Sequence, residues 1–428
     1  MVVFWQPSMD RRHFLKHLAG LSAFALPGGA FLQTLRAASG QLRKEHKSLI
    51  ILWMTGGPPT IDLWDLKPES PNGGEFKPIK TSADGIQICE HLPLCAQQMK
   101  HLSIIRSLST SEGDHQRGRV LMHTARRPDP AVQFPSLGSV VSNQLTPEEL
   151  ALPGFISVNG ATEGPGFLGM NYAAFTVQDP SRPPENLKPP DIIGTDFLQS
   201  ERVRRRQRLF YEIEDHFIAQ HRGDAAQAHS DVYKKAFNLV ASPLGKVFNI
   251  SSEKKVVLEN YGANSFGRGC LLARRLVEAG VPVIEVDLGG WDLHQRIFPT
   301  LKNERLPVLD QGMSALVRDL VDRGLWSSTV LLWMGEFGRT PRINPNAGRD
   351  HWPRCWSVVI GGGTLKGGRA FGSTDTEGTD IKGDERAGVG DLFATVYHAL
   401  GIDPALKIRD AQGRPLAIAE GKPIAALA

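Results

Sequence analysis

The sequence predicts an α/β protein: a doubly wound, mostly parallel sheet with helices on both faces. Three observations predict it. Four short runs, residues 48–54, 281–286, 329–334 and 356–360, are dominated by Ile, Val, Leu, Trp and Met, and continuous apolar runs of that length read as strands buried on both faces. Between them apolar residues recur at helical spacing, in Cys270, Leu271, Leu272, Leu276 and Val277 and again in Leu306, Leu309, Met313, Leu316, Leu320 and Val321. Strand after helix after strand is the pattern of a doubly wound sheet. Finally, each run adjoins glycine, acid or histidine: Thr55-Gly56-Gly57 and Asp62; Asp287, Asp292 and His294; Gly335-Glu336; Asp350-His351. In open α/β sheets ligands bind at the carboxyl ends of the strands, so these groups are expected to meet in one place.

Taken in order, the chain opens with Arg11-Arg12-His13-Phe14-Leu15-Lys16, an apolar stretch from Leu18 to Leu26, and Ala37-Ala38. This reads as a twin-arginine export signal over residues 1–38, with Met9 a second candidate start and an amphipathic helix the plainer alternative. The apolar stretch is short and broken by Pro27, Gly28 and Gly29, so no membrane span is expected and a periplasmic or secreted protein is. Residues 39–428 then read as a single α/β domain. An apolar run at His101–Leu108 is followed by a helical pattern over Gln116–His123. The Pro/Gly-rich stretch from Pro153 to Pro190 is expected to form long surface loops, a candidate lid. Residues 196–242 are helical in pattern and highly charged, and the cluster Arg202, Arg204, Arg205, Arg206 and Arg208 has acids nearby, as on a solvated helix face.

Composition narrows the function classes. With 41% hydrophobic and 22% charged residues over 428 positions the chain is ordinary for a globular protein, and a formal charge of +4 without an aromatic-interleaved basic stripe does not point to nucleic acid. Cys89, Cys95, Cys270 and Cys355 show no CxxC spacing and read as buried, although Cys89 and Cys95 could pair. Oligomeric state is not legible.

Asp292 and His294 follow a strand and Gly289-Gly290, glycines that permit a tight loop, and the pair reads either as metal ligands or as a structural hydrogen bond. Glu336 ends a buried strand, where a carboxylate is costly without a cation; a divalent ion or an ion pair with Arg339 would supply it. With Asp62 and His351 these residues make a candidate ligand set for a divalent metal, Zn, Ca, Mg or Mn, and neighbouring side-chain heads should then lie roughly 4–6 Å apart.

Trp291-Asp292-Leu293-His294, Trp333 through Pro341, Gly348-Arg349-Asp350-His351-Trp352-Pro353, and Gly361-Gly362-Gly363 with Lys366-Gly367-Gly368 resemble the bacterial secreted family called domain of unknown function fifteen-oh-one. Gly56-Gly57-Pro58-Pro59 through Asp62 to Asp65 matches its opening motif. That family is similar in fold to sulfatases and alkaline phosphatases, metal-dependent hydrolases of sulfate and phosphate esters. The resemblance implies an alkaline phosphatase/sulfatase-like domain over residues 39–428. It places Asp62 at the first-strand metal aspartate and Asp292 and His294 at the middle pair, with Asp287 the alternative. Glu336 takes the position of a ligating aspartate, Phe337 replaces a second ligand, and His351 holds the late basic or metal-binding position. It sets His115 on the nucleophile and Arg119 on the arginine that steadies it. No cysteine stands there, so His115 is open to three roles: nucleophile, metal ligand or general base. Ser107, Ser109, Thr110 and Ser111 are rival nucleophiles. The chain is thus expected to be an exported metal-binding hydrolase acting on an anionic sulfate or phosphate ester, and alternatively a non-catalytic binding or assembly module that keeps the fold.

Overall fold

Strand β1, Ser48–Trp53, is buried along its whole length, and its side chains alternate between two apolar clusters. Ile50 and Leu52 face one and Leu49, Ile51 and Trp53 the other, which is the period of two that a doubly covered strand must show. The computed structural model describes residues 46–180, 247–410 and 412–428, with scattered helical positions between 201 and 216. The export signal expected at 1–38 lies outside the described residues, as does most of the basic cluster, of which Arg205 and Arg208 are exposed.

After β1 come the short helix α1 (Thr60–Leu63), β2 (Leu102–Leu108), α2 (His115–Thr124), α3 (Leu137–Leu145), β3 (Phe155–Val158) and β4 (Phe175–Val177). Then follow α4 (Ser265–Glu278), β5 (Val283–Asp287), α5 (Leu306–Asp322), β6 (Thr329–Met334), β7 (Trp356–Gly362), β8 (Arg369–Phe371) and α6 (Val389–Leu400). The strands form one eight-stranded sheet in the order β8-β2-β7-β6-β1-β5-β3-β4. Every pairing is parallel except those of β7 with β6 and β2. The four predicted strand runs therefore share a mostly parallel sheet. Helices α4 and α5 cover one face with Phe266, Leu272, Leu309 and Leu316, and α2, α3 and α6 cover the other with Met122, Val141 and Phe393. Burying each such side chain contributes about 1.5–3 kcal/mol.

Three helix starts carry the polar side chain that the free N–H groups of a first turn require. Asp114 accepts from the Arg117 amide at 3.0 Å, Ser136 from Ser139 at 3.2 Å, and Asn264 from Gly267 at 2.7 Å. The stretch expected as long loops, Pro153–Pro190, does form a long surface loop over 159–174, but the short strands β3 and β4 flank it toward the sheet edge, and 181–190 lie outside the described residues. These strands are four and three residues long, too short for periodicity to register. All four cysteines are free and buried, and burial pushes the Cys89 thiol up to about 12 and Cys355 to about 11. Among the described residues no helix is long and apolar enough to cross a membrane.

The reversed direction of β7 has a local cause. A parallel return from β6 would need a crossover, usually a helix. Residues 335–355 contain no helix, only the short ribbon Gly338–Arg339 with His351–Trp352, so the chain stays at the carboxyl end of the sheet and comes back antiparallel. Glu336, Arg339, Arg349 and His351 are held at that edge as a result.

Candidate metal centre

One helix and three loops meet at the carboxyl end of the sheet, among them the loop after β5 that carries Asp292 and His294. The β1 turn comes first: Gly56 at φ 115° and Gly57 at φ 69° bring the backbone so close to the 291–292 loop that a Cβ on Gly56 would stand 2.5 Å from the Asp292 amide nitrogen. Only glycine fits there. Helix α2 then approaches through Gly118, where a Cβ would lie 3.1 Å from the Phe337 ring. This sets His115, in the first turn of α2, against the β6 turn. The 335–355 connection closes the arrangement.

At the centre is the Asp292 carboxylate. Its Oδ1 is 3.3 Å from Nε2 of His115, 3.0 Å from Nε2 of His294 and 3.4 Å from Nε2 of His351. The other nitrogen of each ring is committed elsewhere. His115 Nδ1 faces Glu336 Oε1, His294 Nδ1 faces Asp350 Oδ1, and His351 Nδ1 faces the Gly113 carbonyl, each at 2.7 Å. Carboxylates and carbonyls only accept, so each Nδ1 donates and each neutral ring presents its Nε2 lone pair to the centre. Locking the far nitrogen of a histidine in this way is how proteins orient metal-ligating imidazoles.

Nε2 of His294 and Nε2 of His351 lie 3.2 Å apart. Two lone pairs that close repel unless a cation or proton sits between them. Nε2 of His115 and Oε2 of Glu336 are buried without a hydrogen-bond partner, so the centre holds surplus acceptors. A tetrahedral ion with ligands at about 2.0–2.2 Å has ligand–ligand edges of about 3.3–3.6 Å. The spacings from Asp292 are close to that, and the donors of His115, Asp292 and His351 all lie within 4.8 Å of one another. The residues fit a divalent ion.

One cation is already built in. The buried Arg339 guanidinium donates to the carbonyls of Gly56, Gly57 and Arg349, to Asp292 Oδ1 and to His294 Nε2. That uses all five of its N–H groups. Burial alone would raise the Asp292 carboxyl, but Arg339 and the neighbouring histidines outweigh it and hold the group at about 2. The Glu336 carboxylate, partly offset by burial, raises His115 above the usual imidazole range.

The predicted residues thus separate. Asp292, His294 and His351 come together, joined by His115, whose Nδ1 is held by Glu336 and whose Nε2 faces Asp292. Glu336 lies behind His115, on its Nδ1 and on the Gly56 amide at 2.8 Å, and orients the ring. Arg339 pairs with Asp292, not with Glu336 as the sequence alternative had it. Asp62 is elsewhere. Its oxygens accept from Arg349 at 2.6 and 2.7 Å in a fully buried, two-pronged pair. Arg119 does not join His115. It reaches the Ala161 carbonyl at 2.8 Å and Glu163 at 3.0 Å. Phe337 forms an apolar wall, its ring centroid 5.0 Å from that of His115 and 4.6 Å from that of His351. Of the rival nucleophiles, Ser109 accepts from Arg386, Ser111 from Arg127, Ser107 is fully buried, and the Thr110 hydroxyl oxygen is buried without a hydrogen-bond partner.

Sequence reasoning left Arg349 without a role and offered Arg339 only Glu336 as an alternative partner. The available signal was that each arginine belongs to a motif rich in glycine, whose bare carbonyls want donors. A second buried pair was also missed: His123, two turns after His115 on α2, meets Glu285 of β5 at 3.3 Å beneath the Trp53 ring.

Residues 46–428 match the model of a family described as "Protein of unknown function (DUF1501)". No curated protein matches the sequence. Among solved structures the chain is similar to Ps i-CgsB in complex with k-i-k-neocarrahexaose, at 13% identity over 84% of this chain and 73% of that one, TM-score 0.40. It is similar also to a protein in the alkaline phosphatase superfamily from Vibrio parahaemolyticus, at 11% identity over 83% and 67%, TM-score 0.37. A third likeness is to the C-terminal periplasmic domain of EcEptC from Escherichia coli in complex with Zn, at 11% identity over 90% and 92%, TM-score 0.34.

Proposed function

The chain belongs to the DUF1501 family, whose description names no activity, and from its histidine–aspartate centre we propose an exported, metal-binding hydrolase acting on anionic esters of the sulfate or phosphate kind. One observation carries the reading: three imidazoles, each locked at Nδ1, turn their Nε2 atoms onto one carboxylate. His115, Asp292 and His351 would hold the ion, His294 would flank it, and Glu336, Asp350 and the Gly113 carbonyl would fix the orientation of the rings. Structural metal sites are closed by protein, whereas catalytic ones keep a face to solvent. Side chains here remain open, 37% for His115, 44% for His294 and 47% for Asp292. A divalent ion bound there would polarise an ester oxygen as a Lewis acid. Asp292 stays anionic to low pH, so it can serve as a ligand throughout the neutral range, and Phe337 excludes water from one side of the rings.

The test is metal content. Protein purified without chelator should carry divalent metal by elemental analysis, and His294→Ala or His351→Ala should reduce it at least about tenfold, as loss of a ligand or its support does. Metal content unchanged in both variants would sink the reading. A second reading, a binding module that keeps the fold, draws on Arg119 pairing with Glu163 and on Arg339 having no free donor. It predicts bound metal without turnover of any aryl sulfate or aryl phosphate.

A further inference from the structure

Beside the metal centre stands a pair that none of these roles uses. Thr55, at the end of β1, is exposed, and its hydroxyl donates to Oδ2 of Asp287 at the end of β5. The two strand ends are neighbours in register, Trp53 opposite Asp287. Thr55 is tied to the centre through its own backbone. Its carbonyl accepts from the Trp291 amide at 3.2 Å, and the next residue, Gly56, reaches Glu336 by its amide and Arg339 by its carbonyl. A hydroxyl held on a carboxylate is the arrangement that activates a weak oxygen nucleophile.

We propose that Thr55 is the attacking nucleophile of the esterase reaction and Asp287 its general base. The inference rests on the hydrolase reading above. It answers a gap left by the site: His115 Nδ1 is held by Glu336 while its Nε2 is turned to the metal centre, Ser107, Ser109 and Ser111 are buried or held by arginines, and the Thr110 hydroxyl oxygen is buried. Asp287 is suited to the task, since burial, with the nearby charges of Glu285 and Glu336, lifts its carboxyl to about 6 against the opposing pull of Thr55 and Arg119. A base poised near the working pH transfers protons best. In the first step Thr55 Oγ1 bonds to the phosphorus or sulfur, the bond to the ester oxygen breaks, and the hydroxyl proton passes by way of Asp287 to the departing alcohol. In the second, water attacks the phospho- or sulfo-threonine, the bond to Oγ1 breaks, and one water proton passes by way of Asp287 back to Thr55.

The experiment uses the metal-loaded full chain with p-nitrophenyl phosphate and p-nitrophenyl sulfate. Thr55→Ala should lose at least about a hundredfold in turnover while metal content stays at the wild-type level, and Thr55→Ser should keep most of the activity. Peptide mass analysis of acid-quenched wild type should find one phosphoryl or sulfuryl group on Thr55. If Thr55→Ala keeps its metal and its turnover, the proposal is overturned while the hydrolase reading stands, with a metal-activated water as the attacking group. If the metal-loaded wild type turns over neither ester, hydrolase reading and proposal fall together.

Discussion

Asp287 carries a charge that the fold disfavours, and its pH behaviour follows from that. Burial is the largest cause of its rise from 3.8 to about 6. Between those values the folded protein holds a proton that the unfolded chain has released, so folding stability falls as pH rises through this window and is level above it. The sign is opposite to that of a salt-bridged aspartate. At about 1.4 kcal/mol per pKa unit, and reduced by partial solvent access, the loss amounts to about 2 kcal/mol. Asp287→Asn keeps an acceptor for Thr55 and never charges. Urea unfolding at pH 7 should therefore find the variant about 1–2 kcal/mol more stable than wild type, with the two equal near pH 3. A variant that is less stable at pH 7 would refute the argument. The same residue that destabilises the fold is the proposed base, as is common where function demands a perturbed group.

The connection between β6 and β7 is the element that makes the site, and Arg349 is what pins it. Its guanidinium joins Asp62, next to the β1 turn, to the carbonyls of Thr340, Pro341 and Asn72. Both partners of the pair are fully buried, so removing one leaves an uncompensated charge, a loss of about 3–5 kcal/mol. Arg349→Met should accordingly lower stability by that amount in urea. It should also weaken metal binding, because Arg349 and His351 ride on the same segment. The double variant Arg349→Met with Asp62→Leu removes both charges and should recover part of the stability. Equal stability of wild type and Arg349→Met would show that the connection is held by its other contacts.

For the whole molecule the export proposal depends on residues beyond the described fold. Arg11-Arg12 followed by a modest apolar stretch motivates it. Replacing both arginines with lysine should keep the protein in the cytoplasm of a bacterial host, detected by fractionation; unchanged export would remove the twin-arginine reading. Such a route carries folded proteins, which suits a centre assembled from residues 113 to 351. That centre draws on one helix and three loops, all gathered at one edge of the sheet because seven strands point the same way. Its residues cannot meet before the sheet has formed.

The sequence by itself determined the layers. Unbroken apolar runs such as Leu49–Met54 have no solution but burial on both faces, and the periodicities of α4 and α5 dictate what covers one of them. It also determined which chemistry gathers at the strand ends, since Asp292, His294 and His351 all sit beside glycine-rich turns there. It did not determine who binds whom. Asp62 and Glu336 looked alike as acids near strand ends, yet one is paired with Arg349 and the other stands behind His115. Partner choice among charges depends on distances of an ångström or less between segments more than two hundred residues apart, and local patterning carries no record of that. The direction of β7 was hidden for a related reason: a strand buried on both faces reads the same whichever way it runs, and only the missing crossover helix reveals it. Tertiary structure decided these points because they are relations between elements, whereas burial and periodicity are properties of each element alone.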